Sequence, residues 1–291
     1  MKSLVVGMGI GQLYQSVLKD LGHTVITCDN NSAADYKNYY DALQEHKFDT
    51  VHICTPNFTH YEIAEAAAQA NTKIIFVEKP GFANAQFWQN LVKQYPGSRF
   101  SMVKNNQYRE SIAHFRDLAA KSHTVKITWN NNNRIPKPGS WFTNKDLSFG
   151  GVSRDLIPHL LSYYCALVDY SQGIKLFAFA SQRWLLEDID HSDYGIVDKN
   201  GVYNVDDFCE FEFKNNNTKY ILTANWRSLR ENDISISFDM SHSAVRHELG
   251  LCPEYAYKLM IQTAVENIDN DQFWKEQLAQ DLWIHRQLER L

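Results

Sequence analysis

Two stretches of this 291-residue sequence hold side chains whose types and spacing suit proton transfer: Val77-Glu78-Lys79-Pro80, and Asp155 and His159, four residues apart behind Gly150-Gly151. A lysine and a histidine meeting over one small molecule could move a proton at an alcohol carbon. Histidine suits the base because its unperturbed pKa of about 6.5 lies near working pH. A nearby lysine cation would stabilise the developing alkoxide. On one helix, the spacing of Asp155 and His159 puts them on one face, a turn apart. The bland alternative is a surface or capping pair. Removing the hydride as well requires an acceptor, and the N-terminus carries a signal for one.

That signal is Gly7-Met8-Gly9-Ile10-Gly11-Gln12, placed after a predicted strand and opening a predicted helix. In a phosphate-binding turn the first glycine makes the bend and the second lets backbone approach a pyrophosphate, which the helix N-terminus then attracts. The third glycine of that pattern falls at Gln12, and Gly11 stands one place earlier to relieve the packing. Asp29, 22 residues after Gly7, ends the second predicted strand, where a carboxylate would accept hydrogen bonds from the adenosine ribose hydroxyls and repel a 2′-phosphate. Asn30, Asn31 and Ser32 follow with no arginine, so NAD is expected over NADP. A solvated loop aspartate is the alternative.

The elements that must position these groups change character along the chain. Up to about residue 120, strands near 2–6, 23–28, 50–54, 73–77 and 99–103 alternate with helices near 11–21, 33–46, 59–70, 83–95 and 108–121. This is the pattern of a parallel sheet covered by helices, which binds ligands at the carboxyl ends of its strands. Thr55-Pro56-Asn57 closes the third strand, His60 sits in the next helical turn, and Glu78-Lys79-Pro80 closes the fourth strand. A strand at 125–129, a Pro-rich loop at 134–140 and a helix at 151–168 come next, then strand-like runs at 174–186, 202–213, 218–230 and 232–240 that read as an antiparallel sheet. Helices near 253–268 and 271–290 end the chain. The expected fold is α/β: one domain over 1–121 built on the parallel sheet and a second over 122–291 built on the antiparallel one. Pro158 removes an N–H that would bond to the carbonyl of Arg154 and should bend the 151–168 helix, a bend that could aim His159 or have no consequence.

Taken in order, the glycine turn with Gly7, Gly9, Ile10 and Gly11, then Thr55-Pro56-Asn57 with His60, Glu78-Lys79-Pro80, Tyr108-Arg109, and Gly150-Gly151 with Asp155 and His159 resemble the glucose-fructose oxidoreductase, inositol dehydrogenase and rhizopine catabolism (Gfo/Idh/MocA) family of NAD(P)-dependent oxidoreductases. The resemblance implies that Gly7, Gly9, Ile10, Gly11, Asp29, Thr55, Pro56, Asn57, His60, Glu78 and Lys79 serve a bound NAD. It implies a cis Lys79-Pro80 bond, with Lys79 reaching both nicotinamide ribose and substrate, and a reacting hydroxyl hydrogen-bonded by Asp155 and His159, the histidine as base. It also implies a Rossmann domain over 1–121, an α/β domain over 122–291 whose open antiparallel sheet carries the substrate side, and a homodimer or homotetramer assembled through that second domain.

Arg134, Lys137 and Arg154 could bring positive charge to the substrate, Trp141 an apolar face for a sugar or nicotinamide ring, and Arg109 a further contact. An anionic sugar derivative, such as a sugar acid or nucleotide sugar, follows as one hypothesis; a solvated loop is the other. The formal charge of −5, with no dense basic stretch, argues against nucleic acid as partner. Five dispersed cysteines show neither metal-ligand nor disulfide spacing. The N-terminal apolar run is too short for a signal or membrane segment, so a cytoplasmic protein is expected. Two other functions fit the same residues: a dinucleotide-binding regulator without turnover, and a reductase of an imine or conjugated double bond.

Overall fold

The computed structural model describes residues 1–30, 33–228, 231–289 and 291. The chain forms two units, Met1–Tyr108 with Pro253–Arg286, and Arg109–Cys252 with Gln287–Leu291. The boundary therefore differs from the one expected at 121/122, because most of the C-terminal helical tail builds into the first unit and 109–121 into the second.

In the first unit β1 (Lys2–Val6), α1 (Gly11–Asp20), β2 (Thr24–Cys28), α2 (Tyr39–Glu45), β3 (Thr50–Ile53), α3 (His60–Gln69), β4 (Ile74–Val77), α4 (Ala85–Gln94) and β5 (Arg99–Met102) follow one another. All five strands are parallel, in the order β2-β1-β3-β4-β5. A parallel sheet needs apolar side chains on both faces, and β4 supplies them as Ile74-Ile75-Phe76-Val77, all buried. Strand order reverses at β1, so a crevice opens beyond the carboxyl ends of β1 and β3. The expected helix at 33–46 is reduced to α2. Asp35 turns its carboxylate to the Thr27 N–H and hydroxyl, at 2.9 and 2.8 Å, and Tyr36 bridges Cys28, which keeps this stretch alongside β2. Helix begins only where Asn38 accepts from the Tyr40 N–H. Asn31 and Ser32 lie outside the described residues.

The second unit contains α5 (Ile112–Lys121), β6 (Thr124–Asn130), α6 (Lys145–Ser148), α7 (Val152–Asp155), α8 (Ile157–Leu167), β7 (Ile174–Ser181), β8 (Phe208–Asn215), β9 (Thr218–Asn225), β10 (Asp233–Met240) and β11 (Ser243–Glu248). The sheet order is β11-β10-β6-β9-β8-β7. It is mixed, not antiparallel throughout: β6 and β9 run parallel, Trp129 opposite Ala224. The helical crossover from β6 through α8 restores strand direction at β7, and two antiparallel reversals, one through a long connection to β8 and one a tight hairpin to β9, then bring β9 back parallel to β6. Alternation of Glu210-Phe211-Glu212-Phe213 buries the phenylalanines, with Tyr164 of α8 stacked on Phe213 at 4.8 Å. The strand-like runs were read too long, since residues 182–207 form a long connection instead, and β11 was not foreseen. Leu229 and Arg230, at the end of the 218–230 run, lie outside the described residues, as does Arg290 in the tail.

The tail forms α9 (Glu254–Glu266) and α10 (Asp271–Leu288). In the first unit α9 packs on α1, with Tyr257 edge-on to Tyr14 at 5.5 Å.

Candidate functional site

At the glycine turn each glycine answers a different need. Gly7 has φ +92°, and a Cβ there would stand 2.6 Å from the Cys54 carbonyl oxygen, so no other residue fits beside β3. A Cβ on Gly9 would meet nothing within 4 Å, which leaves this stretch of backbone open to a ligand. Gly11 is the close-packed glycine: its Cβ would lie 2.9 Å from Val5 Cγ1, while Gln12, where the pattern wants glycine, is exposed. Asp29 accepts from the Met8 N–H at 2.7 Å, so its carboxylate sits against the turn itself, and it remains partly exposed. These residues fit a dinucleotide: an open backbone for the pyrophosphate, a helix N-terminus, and a carboxylate at the end of β2.

The Lys79 loop follows β4 and the Lys79-Pro80 bond is cis. Glu78 is buried and accepts from the Tyr14 hydroxyl at 2.6 Å and from the Lys79 N–H at 3.2 Å. Burial, with Glu78 beside it, pushes the Tyr14 phenol well above its ordinary pKa, which keeps it a donor. Glu78 thus anchors the loop to α1. The His60 ring is wholly buried, with Nδ1 2.7 Å from the Gly81 carbonyl oxygen and Nε2 2.9 Å from that of Thr55, so it lies between two strand-end loops. Burial lowers its pKa against the upward pull of the two carbonyls. Thr55, Pro56 and Asn57 stay partly exposed, and Ile10 is exposed.

In the second unit the expected single helix is two. The break falls at Leu156, and Pro158 occupies the first turn of α8, where a missing N–H breaks no helical bond. Gly151 begins α7 because the Asp206 backbone comes so close that a Cβ would lie 1.7 Å from its carbonyl oxygen. The Asp206 carboxylate then accepts from the N–H groups of Gly151 and Ser153, at 3.0 and 2.7 Å, and from the Ser153 hydroxyl at 2.8 Å. Asp155 ends α7 and accepts from the Trp226 indole N–H at 2.8 Å. The His159 ring stacks on Trp129, with centroids 5.3 Å apart. Trp129 is the last residue but one of β6 and Trp226 follows β9, so the parallel pair delivers both supports at its carboxyl end. Asp155 and His159 are both partly exposed.

The expected substrate contacts fare differently. Arg109 donates to the Leu249 and Gly250 carbonyls, at 2.7 and 3.0 Å, and so fastens the turn after β11. Arg154 is drawn inward: its guanidinium donates to the Leu288 carbonyl at 3.3 Å, and burial lowers its pKa against the pull of Asp206. Arg134 lies over the Tyr194 ring at 4.8 Å, and Trp141 stacks on Phe142 at 3.8 Å, both partly exposed. Tyr14, Asp206, Trp129 and Trp226 were not singled out beforehand. Nothing in their local spacing marks them, since each acts across the fold. Among the described residues no group of three or more His, Cys, Asp or Glu could hold a metal ion.

A parallel sheet of order 2-1-3-4-5 with an open glycine turn at its switch point defines the class of the first unit, a Rossmann fold. Residues 4–97 match the oxidoreductase family with an NAD-binding Rossmann fold. That stretch, about a third of the chain, is what resembles the Gfo/Idh/MocA family, and it gives the first unit an NAD-binding Rossmann fold. A putative UDP-kanosamine synthase oxidoreductase subunit of Amycolatopsis mediterranei (strain S699) is 27% identical over 124 residues, 41% of this chain and 34% of that protein. The match thus spans about a third of that relative's length. Among solved structures, GenD2 from gentamicin A biosynthesis in complex with NAD aligns over 99% of this chain and 92% of its own, with TM-score 0.78 and 16% identity. A putative myo-inositol dehydrogenase from Sinorhizobium meliloti 1021 aligns over 97% and 94%, with TM-score 0.72 and 17% identity. At such identities the structural likeness speaks for the fold.

Proposed function

We propose that this protein is an NAD-dependent dehydrogenase that oxidises, or forms, the CH–OH of a sugar, polyol or sugar derivative. The observation that carries the reading is the Asp155–His159 pair, held by Trp226 and Trp129 and left accessible in a chain whose glycine turn suits a dinucleotide. Gly7, Gly9, Ile10 and Gly11 would hold the pyrophosphate, Asp29 the adenosine ribose, and Thr55, Pro56, Asn57 and Lys79 the nicotinamide half. A bound NAD supplies the hydride acceptor. His159 takes the hydroxyl proton on its imidazole, Asp155 accepts a hydrogen bond from the substrate and fixes its orientation, and the Lys79 ammonium stabilises the alkoxide. Asp29 favours NAD over NADP, because a carboxylate repels a 2′-phosphate and Asn30 offers no compensating cation.

Arg134, fixed on Tyr194, and Trp141, stacked on Phe142, support a substrate with a carboxylate or phosphate beside a sugar ring. The name of one relative, a putative UDP-kanosamine synthase oxidoreductase subunit, is in keeping with a nucleotide sugar. Self-association would use the open face of the second sheet, where Ile174, Phe177 and Phe179 of β7 are exposed. Among the described residues no helix is long and apolar enough to cross a membrane. The dispersed spacing of the five cysteines suits a cytoplasmic setting.

The test is NADH formation at 340 nm against polyols, aldoses, sugar acids and nucleotide sugars, with His159→Ala and Lys79→Ala beside the wild type. Turnover that falls at least about 100-fold in both variants while NADH still binds supports the mechanism. Tight NADH binding with no turnover on any member of the panel points to a regulator, and near-wild-type rates in both variants refute the proton roles.

A further inference from the structure

The loop that carries Lys79 is gripped from a part of the chain some two hundred residues away. His285 of α10 is fully buried, and its Nε2 lies 3.1 Å from the Trp88 indole nitrogen and 3.4 Å from the backbone nitrogen of Phe82. Both partners are donors, so Nε2 must offer its lone pair. The proton then resides on Nδ1, which lies 2.9 Å from the Asp281 carbonyl oxygen and donates to it. Asp281 is itself fixed, accepting from the Met102 N–H at 3.0 Å and pairing with Lys104 at the end of β5. Gly81, between Pro80 and Phe82, completes the fit. Its φ is +82°, and a Cβ would stand 2.7 Å from Trp88 Cζ2 and 2.9 Å from His285 Cε1. On the other side the Gly81 carbonyl faces His60 Nδ1 at 2.7 Å.

We propose that His285, through Trp88 and the Phe82 N–H, is a positioning residue for Lys79: it holds residues 80–82 against α10 and so sets where the lysine is presented. A neutral imidazole suits this task because it joins a donor to a backbone carbonyl on one side with an acceptor for two N–H groups on the other. An aliphatic side chain of similar bulk would leave Trp88 Nε1 and the Phe82 N–H without that acceptor inside the core, and the loop would move to recover hydrogen bonds. A shift of about 1 Å in a reacting group can cost about 100-fold in rate. The inference rests on the reading that Lys79 acts in catalysis, but its geometric content can be measured without any substrate.

The experiment compares wild type, His285→Leu, His285→Gln and Trp88→Phe. Each protein is trace-labelled with acetic anhydride over a pH series, and the rate and apparent pKa of Lys79 are read by mass spectrometry against Lys145 and Lys199 as internal references. Far-UV circular dichroism and the NADH Kd monitor the fold and the cofactor site. In His285→Leu we expect Lys79 reactivity to change at least threefold with the reference lysines unaltered. Trp88→Phe, which keeps an aromatic ring, though a smaller one, and removes the N–H, should shift Lys79 the same way, and His285→Gln, which keeps an acceptor, should return it towards wild type. Once a substrate is known, kcat should fall at least tenfold in His285→Leu with KM for NAD nearly constant, and His285→Leu should add nothing in a Lys79→Ala background. Unchanged Lys79 labelling in a folded His285→Leu overturns the proposal, as does an equal further loss of rate in the Lys79→Ala background. If His285→Leu does not fold, Trp88→Phe decides by the same labelling. Failure of every substrate would count against the dehydrogenase reading alone, because the labelling comparison does not depend on it.

Discussion

Lys104 and Asp281 offer a sharp test of what holds the C-terminal helix to the first sheet. Both side chains are buried, at 2% and 0% exposure, and they form an ion pair where Asp281 also accepts from the Met102 N–H. Burial pushes the Asp281 carboxyl above the usual carboxylate range even though Lys104 pulls it down, so desolvation outweighs the pairing. Removing one partner of a buried pair typically costs about 3–5 kcal/mol, because the other charge is left uncompensated. Lys104→Met should therefore destabilise by about that much at pH 8. The cost must depend on pH in a known direction. Without Lys104 the folded pKa of Asp281 rises further, so above the unfolded value of about 3.9 the folded state keeps a proton that the unfolded state has lost. Stability then falls by about 1.4 kcal/mol per pH unit as pH rises from that value to the folded pKa. The variant should lie nearer to wild type at pH 4.5 than at pH 8. In Lys104→Met/Asp281→Asn the amide still accepts from Met102 and no charge is buried, so the double variant should lose only about 1 kcal/mol and show no such slope from this site. Urea unfolding followed by circular dichroism at pH 4.5, 6 and 8, on wild type, Lys104→Met, Asp281→Asn and the double variant, measures all four corners of the cycle. Additive single and double effects, or a Lys104→Met variant as stable as wild type at pH 8, would refute the account.

Three glycines should separate packing from ligand binding. Gly9→Ala should leave Tm unchanged, since the new Cβ meets no atom within 4 Å, yet weaken NADH binding at least about tenfold, or 1.4 kcal/mol; an unaltered Kd would remove Gly9 from the cofactor cradle. Gly11→Ala, against Val5, and Gly151→Ala, against Asp206, should instead lower Tm, the second far more because it meets backbone, and differential scanning calorimetry of the three side by side checks the order. His52 is buried against Phe76 and burial lowers its pKa from 6.5 to about 3. The unfolded chain therefore takes up a proton there first, so stability is lost as pH falls from about 6.5 towards 3, by at most about 5 kcal/mol from this group. His52→Phe should flatten that acid limb in Tm measured from pH 7 to pH 4, and an identical slope would show that the proton goes elsewhere.

What the sequence disclosed was the part of the protein whose physics is local. Each strand of the first sheet is a short apolar run read from its neighbours, and Gly7, Gly9 and Gly11 declare a turn because only backbone freedom or close approach calls for them there. Asp29 could be placed by counting, since one crossover fixes the distance from turn to strand end. What stayed hidden depends on pairing across long separations. Gly150-Gly151 invited a functional reading, yet Gly151 is demanded by the Asp206 backbone, and nothing near residue 151 announces residue 206. Asp155 and His159 were legible as a pair by spacing, but their helix is broken at Leu156, and they share an environment because two tryptophans from parallel strands support them. Parallel pairing of β6 with β9 has no local signature, so neither had those supports. The tail is the clearest case. Its amphipathic helices could be read, but their partner could not, and that partner is the sheet beneath Lys79. A residue such as His285 is thus invisible to motif reading on principle: its chemistry lies in the loop it holds, which the chain completes about two hundred residues earlier.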